Sequence, residues 1–581
     1  MSFIPSAWAT ERPYLKVGFL TDTHVGQMRK SCERVEGALK VFRREGVQAI
    51  GHCGDLADWH WPEAYGHYRA IIDETYPDPK GCPELLYVYA NHDVLDPEKQ
   101  GAFGPERQMD PEKGFRDMQS RLRISHWVFH ETTIAGVPFL VIPQFWGLIA
   151  GDIKKGWEGI RIFEDKLKEI CKAHPTGPIV LMTHLPPKYT TYNSGQWGDP
   201  YLTAILAKYP RVIAFSGHVH NSLRNEQCVW QGGYTVVDVG CLQVWQGPLV
   251  GTTDEPSKQA YEVLIAEFFA SKVVIRRFDV RDGREISPDR PWVVALPFSA
   301  KTAPLAPSMR AKSERRGEFP KDAALKISTD AANGTVVLSF PAVKNEEDVL
   351  WYRAEVCRQT GDGWERIARA DIHSGFYLRP ADRPARHSVR FSSSVFESGE
   401  RCRVQIVPVG FFGAEGAVLS SDWTAPARNG VNTVLVCEDP MKELGCFCYL
   451  SGRMRKPDGS IDRHELKFQD GWREMKYVTV FELPDFAKGP KGTEYRIVLD
   501  VRTRLKSRDE GSQISLVSLT AKNRGSSRGW TCTPGGDSGL MRYVLRFMSK
   551  SDAEPVYGVQ FHGGGEGTVR IERVKVEEIV R

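Results

Sequence analysis

What the sequence lacks narrows it first. No uninterrupted apolar run reaches the roughly 18 residues that a bilayer-spanning helix requires, so a soluble chain is expected rather than an integral membrane protein. Strong charge of either sign is missing. The 77 Lys and Arg against 73 Asp and Glu leave a net +4, which gives no electrostatic case for nucleic acid or a membrane surface. Cysteine is sparse, at 12, and does not form the dense framework of a small disulfide-stapled domain. Cys446-Phe447-Cys448 has no second pair at zinc-ribbon spacing and reads as ordinary strand. The start is ambiguous, because Met1 to Ala9 is too short for a secretory signal. Ala7-Trp8-Ala9 nevertheless has the small-x-small form that a trimmed export signal would leave.

What is present is an ordinary globular composition, 41% hydrophobic and 26% charged, over 581 residues. That length exceeds the roughly 250–300 residues at which a single core stops growing, so two or three domains are expected. Eleven of the 15 histidines lie before residue 221, which assigns the imidazole chemistry to the first half.

From Leu15 to about Val280, short apolar runs alternate with amphipathic stretches, the pattern of an α/β fold. Val17 to Leu20, Ala49 to Cys53, Leu85 to Tyr89, Ile179 to Met182 and Val212 to Phe215 read as buried strands. Arg34 to Arg44 reads as a helix with Val35, Leu39 and Phe42 on one face, and Arg161 to Lys172 as another with Ile162, Leu167 and Ile170. Tyr234 to Val239, Tyr261 to Phe269 and Lys272 to Val280 continue the strands. Prolines at 288, 291, 297, 304, 307 and 320, with a basic stretch at Arg310 to Arg316, mark a linker over 287–322.

Beyond the linker, strand runs are separated by turn signals such as Gly361-Asp362-Gly363 and Asn429-Gly430, the texture of β-sandwich modules. Residues 323–427 resemble a fibronectin type III or immunoglobulin-type sandwich through Gly334-Thr335-Val336-Val337-Leu338-Ser339-Phe340 and Tyr352-Arg353-Ala354-Glu355-Val356. Residues 428–581 end in Val556 to Phe561, a glycine turn and Thr568 to Glu572. Such an ending looks like the closing hairpin of a jelly roll of the kind that often binds carbohydrate.

The chemistry-bearing residues follow the apolar runs, where an α/β sheet presents side chains to a crevice outside its strand ends. Phe19-Leu20-Thr21 delivers Asp22-Thr23-His24, and His52-Cys53 delivers Gly54-Asp55-Leu56-Ala57-Asp58. Tyr89-Ala90 delivers Asn91-His92-Asp93, Met182-Thr183 delivers His184, and Phe215-Ser216 delivers Gly217-His218-Val219-His220. Taken singly, these are turns, caps or lone polar residues. Together and in order, they are a ligand set. Carboxylate, amide oxygen and imidazole suit divalent manganese, iron or zinc, whereas a calcium cage would be nearly all oxygen. Two such ions, roughly 3.5–4 Å apart, can hold a hydroxide between them and clamp both oxygens of an in-line displacement at phosphorus.

These five motifs, D-x-H, G-D-x-x-D, N-H-D, H and G-H-x-H, resemble the calcineurin-like metallophosphoesterases over about residues 15 to 285. The resemblance implies a catalytic domain over 1–286, a four-layer-type metallophosphoesterase β-sandwich flanked by helices, followed by two all-β sandwich domains. It also implies two divalent metal ions. Asp22, His24 and His220 would hold the first, Asn91, His184 and His218 the second, and Asp55 would bridge them. His92 would steady the transition-state phosphate or protonate the leaving alkoxide, with Asp93 fixing its orientation. Ala90 departs from the family, which usually has glycine there.

Three strand-end segments, Trp59 to Tyr68, Val94 to Trp127 and Pro186 to Tyr201, are long enough to shape a substrate pocket. They carry Trp59, Trp61, Tyr189, Tyr192 and Trp197, with Phe145 and Trp146 near in sequence; these rings either stack on a substrate or fill the loop cores. Lys188 and Arg224 are the candidate basic clamps, each read otherwise as a solvated surface charge. His52, His60 and His67 match no ligand position. The expected function is hydrolysis of small phosphomonoesters or phosphodiesters. The alternative is a protein that binds a glycan or cell-surface polymer through its C-terminal domain and carries a non-catalytic metal domain. Appended sandwich modules lean the expected location to the extracytoplasmic side.

Overall fold

The apolar runs of the first half pair into two mixed sheets in the computed structural model. It describes residues 11–26, 31–58, 62–95, 110–243, 261–299, 303–330, 334–440, 449–450, 461–462, 465–468, 476–482, 487–505, 514–521, 527–532, 539–550, 557–563 and 567–580. Ala7 to Ala9, Trp59, His60, Trp61 and the Cys446-Phe447-Cys448 triplet lie outside the described residues. By internal contacts the chain divides into two units, Met1–Gly247 with Asp254–Glu314, and Pro248–Thr253 with Arg315–Arg581.

The strands of the first unit are β1 (Leu15–Leu20), β2 (Ala49–His52), β3 (Glu84–Tyr87), β4 (His130–Ile134), β5 (Val137–Val141), β6 (Ile179–Met182), β7 (Val212–Ser216), β8 (Val229–Gln231), β9 (Thr235–Asp238), β10 (Glu262–Phe268), β11 (Lys272–Asp279), β12 (Arg284–Ile286) and β13 (Trp292–Ala295). Its helices are α1 (Ser31–Glu45), α2 (Pro62–Thr75), α3 (Pro111–Leu122), α4 (Trp146–Ile149), α5 (Gly156–Ala173), α6 (Ser194–Trp197), α7 (Pro200–Leu206) and α8 (Pro307–Ser313). One sheet runs β12-β11-β10-β1-β2-β3, with β13 also on β11; the other runs β4-β5-β6-β7-β9-β8. The central pairs β1–β2, β2–β3, β5–β6, β6–β7 and β7–β9 are parallel.

Parallel strands covered on both faces read as continuous apolar runs, which is why β6 and β7 are buried at every residue. Between the sheets lie Val17, Phe19, Val141, Met182 and Phe215, with Phe19 and Phe215 stacked at 3.9 Å. On the outer face of the first sheet, α1, α2 and α3 bury Leu39, Phe42, Tyr65, Tyr68, Phe115 and Met118. On the outer face of the second, α5 and α7 bury Phe163, Leu167, Ile170, Leu202 and Leu206. The order is helix, sheet, sheet, helix, and each such buried side chain contributes roughly 1.5–3 kcal/mol.

Three departures from the sequence reading are informative. On α5 the buried stripe is Phe163, Leu167 and Ile170, not Ile162, because spacings of four and three keep Phe163 above Leu167. Helix α3 stands inside one segment read as a strand-end loop, and α2 starts within another and runs past its end at Tyr68; α3 starts at Pro111 with Asp110 accepting from the amides of Glu112 and Lys113. The stretch read as a linker holds β13, paired to β11 and burying Trp292 and Val294, and α8 with Pro307 in its first turn.

In the second unit a three-stranded sheet (Lys326–Asp330, Thr335–Pro341, Arg386–Ser392) and a four-stranded sheet (Gly363–His373, Val349–Thr360, Arg401–Gly410, Leu419–Thr424) share a core of Val336, Leu338, Phe340, Tyr352, Val404 and Ile406. Thr335–Pro341 alternates strictly between buried and half-buried, the period of a strand with one face in a core. Further along are a six-stranded and a five-stranded antiparallel sheet. Tyr557–Gly563 and Gly567–Ile579, read as a closing hairpin, do not pair. The first sits between Lys476–Glu482 and Ile514–Ala521, whereas the second pairs with Glu494–Leu505 in the other sheet.

Candidate metal centre

Asp22 and His24 follow β1, Asp55 and Asp58 follow β2, and Asn91, His92 and Asp93 follow β3. His184 follows β6, and His218 and His220 follow β7. Five of these side chains leave left-handed backbone, at φ +50° (Asp22), +42° (His24), +52° (Asp55), +72° (His218) and +47° (His220). Non-glycine residues held there cost roughly 1–3 kcal/mol each, and such strain gathers at functional sites. Cross-loop hydrogen bonds hold it in place: the amides of Asp22 and His24 donate to the carbonyls of Gly54 (3.0 Å) and Asp55 (3.1 Å), and that of Gly217 donates to His184 (3.0 Å).

Two glycines make room for this convergence. At Gly54, φ +102°, a Cβ would lie 2.5 Å from His184 Nδ1 and 2.7 Å from the Ala90 methyl. Ala90 is therefore accommodated where the family usually has glycine, because Gly54 opposite it has no side chain. A Cβ on Gly217 would stand 2.0 Å from Thr21 Oγ1.

The ligand atoms gather in adjoining groups. Those of Asp22, His24 and His220 lie within 4.8 Å of one another, and so do those of Asp55, His184 and His218. His220 Nε2 is 3.0 Å from Asp22 Oδ1, and His24 Nε2 is 3.8 Å from the same oxygen and 3.9 Å from Asp55 Oδ2. His184 Nε2 is 3.1 Å from Asp55 Oδ2, 3.2 Å from His218 Nδ1 and 4.0 Å from Asp22 Oδ1, which joins the two groups. The other carboxylate oxygens are fixed from behind. Asp22 Oδ2 accepts from the His218 amide (2.9 Å) and Thr21 Oγ1 (2.9 Å), and Asp55 Oδ1 accepts from the His92 amide (2.9 Å). Because a carbonyl can only accept, His184 Nδ1 carries a proton toward Cys53 O (2.8 Å), which aims Nε2 inward.

A pair of divalent cations fits this set. Asp22 Oδ1, both ring nitrogens of His24 and Asn91 Oδ1 are buried without a hydrogen-bond partner, although unpaired polar atoms are costly to bury. Asn91 precedes His92 in the chain, and its amide donates to Gln144 Oε1 (2.9 Å). Burial works to raise Asp22 and Asp55, but His220 and His184 around the first, and His184, His92 and His24 around the second, hold both well below the usual carboxylate range. Burial works to lower His184, yet Asp55 and Asp22 raise it to about 9. The two carboxylates thus favour positive charge at this site.

The orientation expected of Asp93 falls to another carboxylate. His92 Nδ1 meets Asp58 Oδ1 at 2.7 Å, and burial acting on Asp58 is outweighed by His24 and His92, which bring it to about 2. Asp93 serves the backbone instead: it accepts from the amides of Ala57 (3.0 Å) and Ala90 (3.2 Å) and from Tyr65 Oη (3.4 Å), and burial with Asp55 nearby pushes it up to about 7. It staples the loop after β2 to the loop after β3. The sequence did carry a signal for Asp58, the second aspartate of G-D-x-x-D, but nothing in it says which aspartate His92 meets.

Around the centre, Trp197 stands nearly perpendicular to His218 at 5.8 Å, and Trp146 donates to Asp199 Oδ2 at 2.8 Å inside the loop. Phe145 packs against the helix-side core and Tyr192 is half-buried. Arg224 is neither clamp nor surface charge: it is buried, with Nε on Glu262 (3.1 Å) and Nη2 on Asp279 (3.1 Å). Lys188 lies over the Tyr189 ring at 5.3 Å. His52 is buried behind the centre on Thr23 Oγ1 (3.1 Å), and His67 is exposed on α2.

Residues 15–222, little more than a third of the chain, match the family model described as calcineurin-like phosphoesterase. With the aspartate and histidine groups, this supports a metal-binding hydrolase domain of the metallophosphoesterase kind, with a dinuclear centre, in the N-terminal half. Among solved structures, a dimetal phosphatase from Danio rerio is similar over 45% of this chain and 96% of its own, at 13% identity and TM-score 0.31. The purple acid phosphatase PPD1 from yellow lupin (Lupinus luteus) seeds is similar over 47% of this chain and 52% of its own, at 14% identity and TM-score 0.32. BiXyn10A CBM1 in its apo form covers 25% of this chain and 97% of its own, at 14% identity and TM-score 0.18. Scores this low carry no argument about function. No curated protein matches the chain.

Proposed function

We propose that the first unit hydrolyses small phosphate esters, mono- or diesters, with a pair of divalent cations. Asp22, His24 and His220 would hold one, Asn91, His184 and His218 would hold the other, and Asp55 would serve both. The observation that carries this reading is the convergence of two groups of ligand atoms, Asp22 with His24 and His220 and Asp55 with His184 and His218, with buried polar atoms of Asp22, His24 and Asn91 lacking a hydrogen-bond partner. Manganese, iron or zinc bound there would supply Lewis-acid charge at the phosphoryl oxygens. The chain's own part is positional. Asp58 engages His92 Nδ1, leaving Nε2 to carry a proton toward the departing oxygen, and Asp93 ties the two loops that bear Asp55 and His92. We assign the β-sandwich stretches 323–427 and 428–581 to attachment, with a glycan or cell-surface polymer as the partner.

The test is turnover of an aryl phosphate and an aryl phosphodiester by the full chain with added manganese, alongside its metal content. Turnover of either ester with retained metal is expected, and neither turnover nor metal would sink the reading. Asn91→Ala should deplete the metal, whereas His92→Ala should spare it and still slow the reaction.

A further inference from the structure

The loop between β6 and α7 exposes rings that the fold does not need. Trp197 is 43% exposed although it touches His218 across a perpendicular contact of 5.8 Å, so one indole borders both solvent and the candidate centre. Tyr189 is 59% exposed and sits at φ +63°, a conformation that bulky residues rarely adopt, and burial of the ring does not offset that strain. The two belong to one crossing of the chain. Lys188 N donates to Asp199 O (3.1 Å), Asp199 N donates to Pro186 O (2.8 Å), and a Cβ on Gly198 would lie 2.6 Å from Lys188 Cα. Just beyond, Trp157 (71% exposed) and Tyr201 (41%) stand perpendicular at 5.2 Å. Single exposed apolar residues are ordinary, but a large exposed ring in contact with a candidate ligand such as His218 marks where something docks, and Tyr189 opens solvent-facing apolar surface on the same loop.

We propose that Trp197 and Tyr189 form a subsite for the alcohol portion of the substrate, so that the preferred esters carry a ring, aromatic or sugar, in the alcohol that bears the phosphate. This rests on the phosphoesterase reading and names its substrate class. Both kinds of ring present a face to an aromatic side chain, whereas an acyclic alcohol such as glycerol does not.

The readout is the ratio of kcat/KM for phenyl phosphate, a nucleoside monophosphate and a hexose phosphate over that for glycerol phosphate, using the manganese-loaded full chain. The wild type should favour at least one ring ester by about tenfold, the scale of an aromatic contact. Trp197→Ala should erase that preference, and Trp197→Phe should restore most of it. A ratio cancels any disturbance of His218 common to all esters. Tyr189→Gly relaxes the backbone at that position, so Tm should hold or rise while the ratio falls. Aryl and nucleoside esters leading identifies an aromatic occupant, and the hexose ester leading identifies a sugar. A ratio unchanged in both Trp197→Ala and Tyr189→Gly, or a wild type preferring glycerol phosphate, overturns the subsite. If no ester is hydrolysed, the phosphoesterase reading is what fails. The subsite is then read by calorimetry with phenylphosphonate against methylphosphonate: tighter phenyl binding lost in Trp197→Ala supports it, and equal binding overturns it.

Discussion

Two buried charge clusters in the first unit have similar composition and opposite character. Around Glu226, Glu262 and Asp279, all six carboxylate oxygens are engaged, by Arg277, Arg310 and Trp292, by Arg224, Ser222 and the Leu223 amide, and by Arg224 and Arg281. Around Asp22 and Asp55, acceptors and imidazoles converge on left-handed backbone, and Asp22 Oδ1, the ring nitrogens of His24 and Asn91 Oδ1 are buried without a hydrogen-bond partner. Burial is common to both. What separates them is how the acceptors are met: in the first the chain's own donors cover every carboxylate oxygen, whereas in the second Asp22 Oδ1 and Asn91 Oδ1 are buried without a hydrogen-bond partner beside converging imidazoles.

The strongest way to break that contrast is at Asp55. Asp55→Asn keeps the shape and removes the charge between the two ligand groups. If the centre works through cations, metal retention should collapse and kcat/KM should fall on the order of 10³-fold, since the metal's contribution amounts to several kcal/mol. Full activity with full metal content in this variant would return the cluster to the structural class.

The matching change in the other cluster is Glu226→Gln. Arg277 Nη1 lies 2.8 Å from Glu226 Oε1, Trp292 Nε1 donates to Oε2 at 2.9 Å, and Arg310 joins from α8. Removing the charge strands two buried guanidinium groups, so the loss should be about 3 kcal/mol in urea unfolding, with metal content unchanged. Burial tends to raise Glu226, but Arg277 and Arg310 outweigh it and bring it from its ordinary 4.5 to about 2. A carboxyl depressed on folding stabilises above its unfolded value, so this contribution is complete above about pH 4.5 and lost as pH falls toward 2. The difference in unfolding midpoint between wild type and Glu226→Gln should therefore shrink through that window. A constant difference would show that the carboxylate is not the source.

Sequence made the centre legible because its two ingredients are local: an apolar run that must be a buried strand, and rare ligand types directly after it. Asp22, His24, Asp55, His184, His218 and His220 were all found that way, and the structure brings their ligand atoms together. What was not legible is partner choice. Arg224, four residues after His220, reads as a candidate clamp or a solvated surface charge, but Glu262 and Asp279 reach it from β10 and β11 and bury it. Asp93 looked like the partner of His92 because it is adjacent, yet adjacent residues on a tight turn diverge, and the carboxylate that arrives comes from the loop after β2. Helix α2 was missed where it begins within a segment taken as a loop, and α3 inside another, although Asp110-Pro111 is a helix start in plain view.

The smallest effect tests the boundary between the clusters. Asp58 is engaged by His92 at 2.7 Å, as a structural carboxylate would be, but its Oδ1 also lies 3.9 Å from His24 Nδ1, and the ligand atoms of His24, Asp58 and His92 fall within 4.8 Å of one another. If Asp58 acts only through His92, Asp58→Asn should keep the full metal content and lower kcat by roughly ten- to a hundredfold, the usual cost of disturbing an orienting partner. KM for a given ester should hardly move, because neither the ligands nor the rings of the β6–α7 loop are touched. Loss of metal together with activity would instead make Asp58 a ligand. The division between satisfied and unsatisfied groups would then have to be drawn on its far side, since a carboxylate already hydrogen-bonded to His92 would belong to the functional cluster after all.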